Sequence, residues 1–304
     1  MRTKHNDIGL EALCELFGMS RQAYYQRKKY NYKEVAKSEI LRQVVGQQRK
    51  LMPKLGGRKL LLRVNKTLPL ELQMGRDSFF RYLRDNKLLI RTRRFRAITT
   101  NSNHRYHKYP NLIKGFIPLK PHQLWVSDIT YVSTKEGFVY LNLITDAYSR
   151  KIIGWSIGET LEAKYTVQAL KMALKQLPKG VNNVYHHSDR GVQYCCDQYI
   201  KLLKKYKFRI SMTESGNPRD NPLAERVNGI LKGEWGLCYL ASIDKAISKI
   251  KKSISIYNKH RPHMSINMLT PEMAHQQEGE LNKLWKNYWS YKYSKFNIKQ
   301  KSLI

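Results

Sequence analysis

Two periodicities divide the chain. Over residues 10–29, LEALCELFGMSRQAYYQRKK, the apolar positions Leu10, Leu13, Leu16 and Phe17 fall at helical spacing. Gly18-Met19-Ser20 breaks the pattern, and a second helical stretch follows with Ser20 as its cap. Leu60, Leu61 and Val64 predict another helix, and residues 77–86 a further one, with Asp77 or Ser78 capping it and Phe79, Phe80, Tyr82 and Leu83 on its core face. Periodicity lapses over residues 91–118. Beyond them the spacing is that of strands: WVSDITYVS (125–133), a TKEG turn, FVYLNLITD (138–146) and KIIGWSI (151–157) predict an antiparallel meander. Helical spacing returns in EAKYTVQALKMALKQL (162–177), residues 183–187 predict a short strand, and Asn221-Pro222 opens a helix that runs to Trp235.

Helical units thus precede an α/β domain. Three strands, a helix, a strand and then further helices and strands form the order that a ribonuclease H-like core requires, an order that other α+β folds share. The expected divisions are a helix-turn-helix-like unit over 1–50, a second over 51–95, a basic linker over 96–118, the α/β core over 119–277 and a basic, aromatic tail over 278–304.

Charge narrows the class of partner. Lys and Arg number 56 against 23 Asp and Glu, a formal net charge of +33 in 304 residues. The first 120 residues hold 28 of the basic residues and only 8 of the acids. Such an excess repels itself unless a polyanion neutralises it, so nucleic acid is the expected ligand. A helix-turn-helix would present Arg21, Arg27 and Lys28 to a groove, and Arg91, Arg93, Arg94 and Arg96 would lie along phosphates. Two packed helices of any kind, or a merely solvated basic surface, are the alternatives. No run reaches the roughly 18 to 20 apolar residues that span a bilayer, and the first residues lack the apolar core of a secretory signal, which points to the cytosol. The four cysteines form no CxxC pair, so neither a disulfide framework nor a zinc site is signalled.

Three acids stand out against this basic background. Asp128 sits mid-strand in WVSDITYV, where a carboxylate is costly unless paired or holding a metal. Asp189, in HHSDRGVQY, lies just past the predicted strand, and Glu225 falls in the first turn of the helix begun by Asn221-Pro222. Carboxylates from a strand centre, a strand end and a helix start offer hard oxygen ligands suited to Mg²⁺ or Mn²⁺, and two such ions can assist phosphodiester chemistry. Taken singly, Asp189 could simply make a turn and Glu225 could pair with Arg226 or Lys232.

WVSDITYV, YLNLITDAYSRKIIGW, HHSDRGVQY, SMTESGNPRDNPLAERVNGILKGEW and YNKHRPHMSINMLTPEMA occur here in an order that resembles the insertion-sequence-three family of bacterial transposases, specifically the OrfB product. Thirty-five residues separate Asp189 from Glu225, the interval of the DD(35)E group shared with retroviral integrases. The resemblance implies a ribonuclease H-like catalytic core in which Asp128, Asp189 and Glu225 bind two Mg²⁺ or Mn²⁺ ions. It implies DNA cutting and joining at the ends of an insertion sequence, with terminal repeats and target DNA as partners. A homo-oligomer assembled on DNA, an OrfA product or OrfA-OrfB fusion, and a nucleoid-associated place in the bacterial cytoplasm are further expectations. Lys232, two turns beyond Glu225 on one helical stripe, would steer a terminal phosphate; Asn228 would do likewise or bond within the protein. Arg190 and Arg261 complete the expected DNA contacts, while Glu234, about half a turn around the helix from Glu225, is expected to be structural. The competing readings are a non-catalytic DNA-binding regulator and a nuclease of the same fold that hydrolyses strands without joining them.

Overall fold

The computed structural model describes residues 9–90, 105–214, 220–237 and 239–284. The chain separates into two units, Met1–Ile90 and Arg91–Ile304. The expected phosphate contacts Arg91, Arg93, Arg94 and Arg96 lie outside the described residues.

The first unit is helical: α1 (Leu10–Leu16), α2 (Arg21–Leu51), α3 (Gly57–Thr67) and α4 (Arg76–Asp85). Gly18 takes a φ of +61° after α1, and the Ser20 hydroxyl accepts from the Ala23 amide to start α2, as the sequence leads one to expect. The helix after that cap is 31 residues long rather than a short recognition helix. No Gly or Pro interrupts it before Gly46, and its C-terminal half buries Leu41 and Val45, as Met52, Leu55, Leu60 and Val64 of the same unit are buried. The cap expected at Asp77 or Ser78 is displaced: Gly75 occupies the N-cap position of α4 without a side-chain bond, and Asp77 pairs with Arg76 instead. Phe79 and Leu83 are wholly buried, as the helical spacing requires.

The second unit is built on a five-stranded sheet in the order β3-β2-β1-β4-β5. Strands β1 (Leu124–Thr134), β2 (Gly137–Asp146) and β3 (Ile152–Gly158) form the antiparallel meander. Strands β4 (Tyr185–Ser188) and β5 (Arg209–Met212) add in parallel on the other side of β1. Helices α5 (Ala163–Leu174), α6 (Val192–Cys195) and α7 (Asp197–Lys205) lie between the strands in sequence, followed by α8 (Pro222–Trp235), α9 (Ile243–His260) and α10 (Pro271–Ala274). This order and these directions are those of the ribonuclease H-like fold, so the α/β reading holds. Trp125, Ile153, Leu170, Leu203 and Ile210 form one core, and Leu124, Val126 and Ala224 a second that joins β1 to α8.

The β3–α5 contact depends on Gly154. A Cβ there would collide with the backbone of α5 at Ala169 and with Ala173. Backbone cannot swing away as a side chain can, so Gly154→Ala should destabilise the second unit by about 3 kcal/mol, read as a lower urea midpoint at unchanged m-value.

Candidate active site

Asp128 lies in the middle of β1, Asp189 directly after the last residue of β4, and Glu225 in the first turn of α8. Since β1 and β4 are neighbours, with Trp125 opposite His186, the two aspartates arise where these parallel strands end their pairing at Val126 and His187.

A set of hydrogen bonds ties the three acid-bearing elements together. The Asn221 amide donates to the carbonyl of Ser127, 2.9 Å, and so fastens the start of α8 to the residue before Asp128. Asn221 does stand at the N-cap position, but its side chain makes no capping bond because it is engaged across the sheet. His187 Nε2 lies 3.1 Å from the Asp220 carbonyl, an acceptor only, so this nitrogen carries the proton and Nδ1 accepts from Ser211, 2.9 Å away. Burial lowers the His187 pKa, which keeps that neutral tautomer in place. His186 Nε2 is 2.8 Å from both the Ser127 hydroxyl and the Tyr199 hydroxyl, and burial pushes its pKa down to about 3. Both histidines of HHSDRGVQY therefore brace β1, β4 and the start of α8.

The electrostatics of the acids follow from this enclosure. Asp128 Oδ1 accepts from the Ile129 amide at 2.9 Å and Oδ2 from the Asn228 amide at 2.7 Å. Desolvation first, and the Asp189 charge second, nonetheless raise its pKa to about 7, with Glu225 adding to the rise. Burial also raises the Glu225 pKa. Asp189 Oδ1 accepts from the Gly191 amide, 2.9 Å, closing the tight turn after β4. Asp128 thus feels the charge of both other acids, and all three carboxylates offer oxygen ligands of the kind that hold a hard divalent cation. Among the described residues no three His, Cys, Asp or Glu side chains are gathered into a ligand cluster as they stand.

The expected DNA contacts divide into groups. Arg21, Arg27 and Lys28 are exposed on α2, and Arg190 is half-buried after β4. Asn228 is buried against Asp128 and makes the bond within the protein that was the alternative to a DNA contact: its side-chain amide donates to the carboxylate and orients it. Arg261 is corrected. It is 1% exposed, forms a two-bond pair with Glu234 at 2.6 and 2.9 Å, and bonds the Pro262 carbonyl and His263, so its guanidinium faces protein rather than solvent. Glu234 is accordingly structural, as its place on α8 suggests. Lys232 is half-buried, its Nζ 4.3 Å from the ring centre of Tyr131. Gly229 faces open space on α8, which runs unbroken through it. No helix among the described residues is long and apolar enough to cross a membrane.

Comparison with known proteins identifies the family of the chain. Residues 118–218 and 206–271 each match a family described as an integrase core domain. An uncharacterised 31 kDa protein of insertion element IS600 from Shigella sonnei is 34% identical over 265 residues, 85% of this chain and 96% of its own length. Transposase InsF for insertion sequence IS3A of Escherichia coli K12 is 35% identical over 176 residues, 56% of this chain and 61% of that protein. The catalytic core domain of HTLV-2 integrase aligns with 53% of this chain and 100% of its own, at 20% identity and a TM-score of 0.42. With an integrase core and a relative matched over almost its entire length, the chain belongs to the insertion-sequence-three family of DDE transposases.

Proposed function

We propose that the chain cuts DNA at the ends of an insertion sequence and joins those ends to new DNA, with Asp128, Asp189 and Glu225 as its catalytic acids. The observation that supports this reading is the bracing of three acid-bearing elements by Asn221, His187 and Asn228, together with the Asp189 and Glu225 charges felt at Asp128. In the first step water attacks a phosphodiester, the P–O3′ bond breaks, and a 3′-hydroxyl and a 5′-phosphate are left; in the second that hydroxyl attacks another phosphodiester, whose own 3′-oxygen leaves and takes up the proton. Both are displacements at phosphorus, and neither needs a covalent enzyme intermediate. Two Mg²⁺ or Mn²⁺ ions held by the three acids would supply charge stabilisation to the attacking and leaving oxygens. The chain's own contribution is geometric: Asn228 and the Ile129 amide fix the plane of the Asp128 carboxylate, and the Gly191 amide fixes that of Asp189.

Arg21, Arg27 and Lys28 on α2 would hold the element end, through phosphate contacts that supply salt-dependent affinity, with Arg190 and Lys232 near the reacting strand. Two ends must be brought together, so the working assembly is a homo-oligomer on DNA, with an OrfA product or an OrfA-OrfB fusion as the companion. The decisive variant is Asp189→Asn. It should bind an end-containing duplex with the wild-type affinity and salt slope yet lose strand cleavage and the joining of a pre-cut 3′-hydroxyl end. Undiminished cleavage would remove the site assignment, and cleavage without joining by the wild type would make the protein a nuclease.

A further inference from the structure

Helix α9 carries a charged surface that lies apart from the acids. Its 18 residues hold five lysines and a single acid, Asp244. At about 100° per residue, Lys245, Ser248, Lys252, Ser255 and Lys259 fall within an arc of about 80°, and all of them are exposed. Ala246, Ile250, Ser253, Ile254 and Tyr257 are buried on the other side, where α9 packs on β1, β2 and β3, so the stripe is turned away from the sheet that carries Asp128. Lys245, Lys252 and Lys259 recur every seventh residue, roughly 10 Å apart along the axis, and span roughly 21 Å. Among the described residues, no ion pair or hydrogen bond holds any side chain of the stripe. Helix electrostatics does not account for the pattern. A lysine in the first turn, as Lys245 is, opposes the helix dipole, and Lys245, Lys249 and Lys252, spaced four and three residues apart, repel one another.

We propose that this stripe is a track for the backbone of duplex DNA held without regard to sequence, namely the target to which the element ends are joined, a proposal that rests on the transposition reading. Regularly spaced ammonium groups along roughly 21 Å match a polyanion of fixed repeat, about six base pairs of duplex at about 3.4 Å each, and the two serine hydroxyls between them are further donors to phosphate oxygens. Separate lysines offer point charges in place of the planar forks of Arg, Asn or Gln that meet base edges, which suits DNA not chosen by its sequence better than a terminal repeat. A second copy of the same helix would meet it with like charge, which disfavours self-pairing through this face. Because the stripe is turned from the acids, the duplex that it grips lies to one side of the phosphodiester under attack.

The test compares the full chain with a triple variant, Lys245→Gln, Lys252→Gln and Lys259→Gln, in binding to a duplex of unrelated sequence over a range of salt concentrations. The slope of log affinity against log salt should fall by about two to three, since each phosphate contact contributes about 0.9. The corresponding Lys→Arg triple should keep the slope, and the Gln triple should melt no lower than the wild type, because self-repulsion is relieved. A control triple on α5 and beyond it, Lys171→Gln, Lys175→Gln and Lys179→Gln, removes the same charge from exposed positions and should leave the slope unchanged. With a pre-cut element end, the Gln triple should need about tenfold or more target duplex to reach half-maximal joining, while cleavage of the element end proceeds as in the wild type. An unchanged slope overturns the track, and an equal fall in both triples overturns it too, since net charge alone would then be responsible. A fall confined to the element-end duplex overturns the assignment to target. If the wild type binds unrelated duplex through these lysines but neither cuts nor joins DNA, the track stands and the transposition reading fails; a wild type that binds no duplex overturns both.

Discussion

Asn in place of Asp128 should leave strand cleavage roughly a thousandfold slower or worse, and should leave the metal-free protein more stable than the wild type. The two effects share one cause. In the folded chain the Asp128 pKa is raised from 3.8 to about 7 by desolvation and by the Asp189 and Glu225 charges. Below about pH 4 the group is protonated in both folded and unfolded states and costs nothing. Between about pH 4 and 7 the folded protein keeps a proton that the unfolded chain has lost, so stability falls as pH rises; above 7 the cost is fully present. The Asn side chain never ionises and escapes it. Three units would amount to about 4 kcal/mol, but solvent reaches the half-buried carboxyl, which reduces the expected gain to about 1–2 kcal/mol and a few degrees in melting temperature. Melting in chelator at pH 5 and pH 8 checks the sign: the wild type should lose stability across the interval, and the Asn variant less. Adding Mg²⁺ should reverse the ranking by stabilising the wild type. A wild type equally stable at both pH values in chelator would mean that the acids do not strain one another.

Arg261→Ala should act on the fold and not on DNA affinity. Its guanidinium is enclosed and pairs through two bonds with Glu234, so truncation leaves that carboxylate, itself only 16% exposed, without its partner. Loss of one member of such a pair costs about 3 kcal/mol, or roughly 6–12 °C in melting temperature for a unit of this size. Arg261→Lys should recover little, because a single ammonium cannot reproduce the fork that meets both carboxylate oxygens. A phosphate contact would give the opposite pattern, with an unchanged melting temperature and a salt slope of DNA binding reduced by about one. Thermal melting and binding at several salt concentrations on the same variant separate the two.

Much of the architecture could be read locally. Alternation in WVSDITYVS and FVYLNLITD, and the switch to helical spacing after Gly158, place the elements to within a few residues of β1, β2 and α5. Backbone geometry makes those periods visible in one stretch of chain without reference to any other. The long α2 was less legible, because its apolar residues Tyr30, Tyr32, Val35 and Ile40 are exposed and, among the described side chains, none after Lys29 is buried until Leu41. Asn221 looked like a cap for the same local reason: Asn before Pro at a helix start usually is one.

The order of strands and helices, the basic character that calls for a polyanion, and the positions of Asp128, Asp189 and Glu225 within their elements are all written in the chain itself. The roles of the neighbouring polar residues emerge only on packing. Asn221 meets Ser127 across 94 positions and Asn228 meets Asp128 across 100, while Arg261 turns inward to Glu234, 27 positions earlier. A side chain's propensity follows from its own neighbours along the chain, but its hydrogen-bond partner and its burial depend on which distant segments the packed sheet and helices bring beside it.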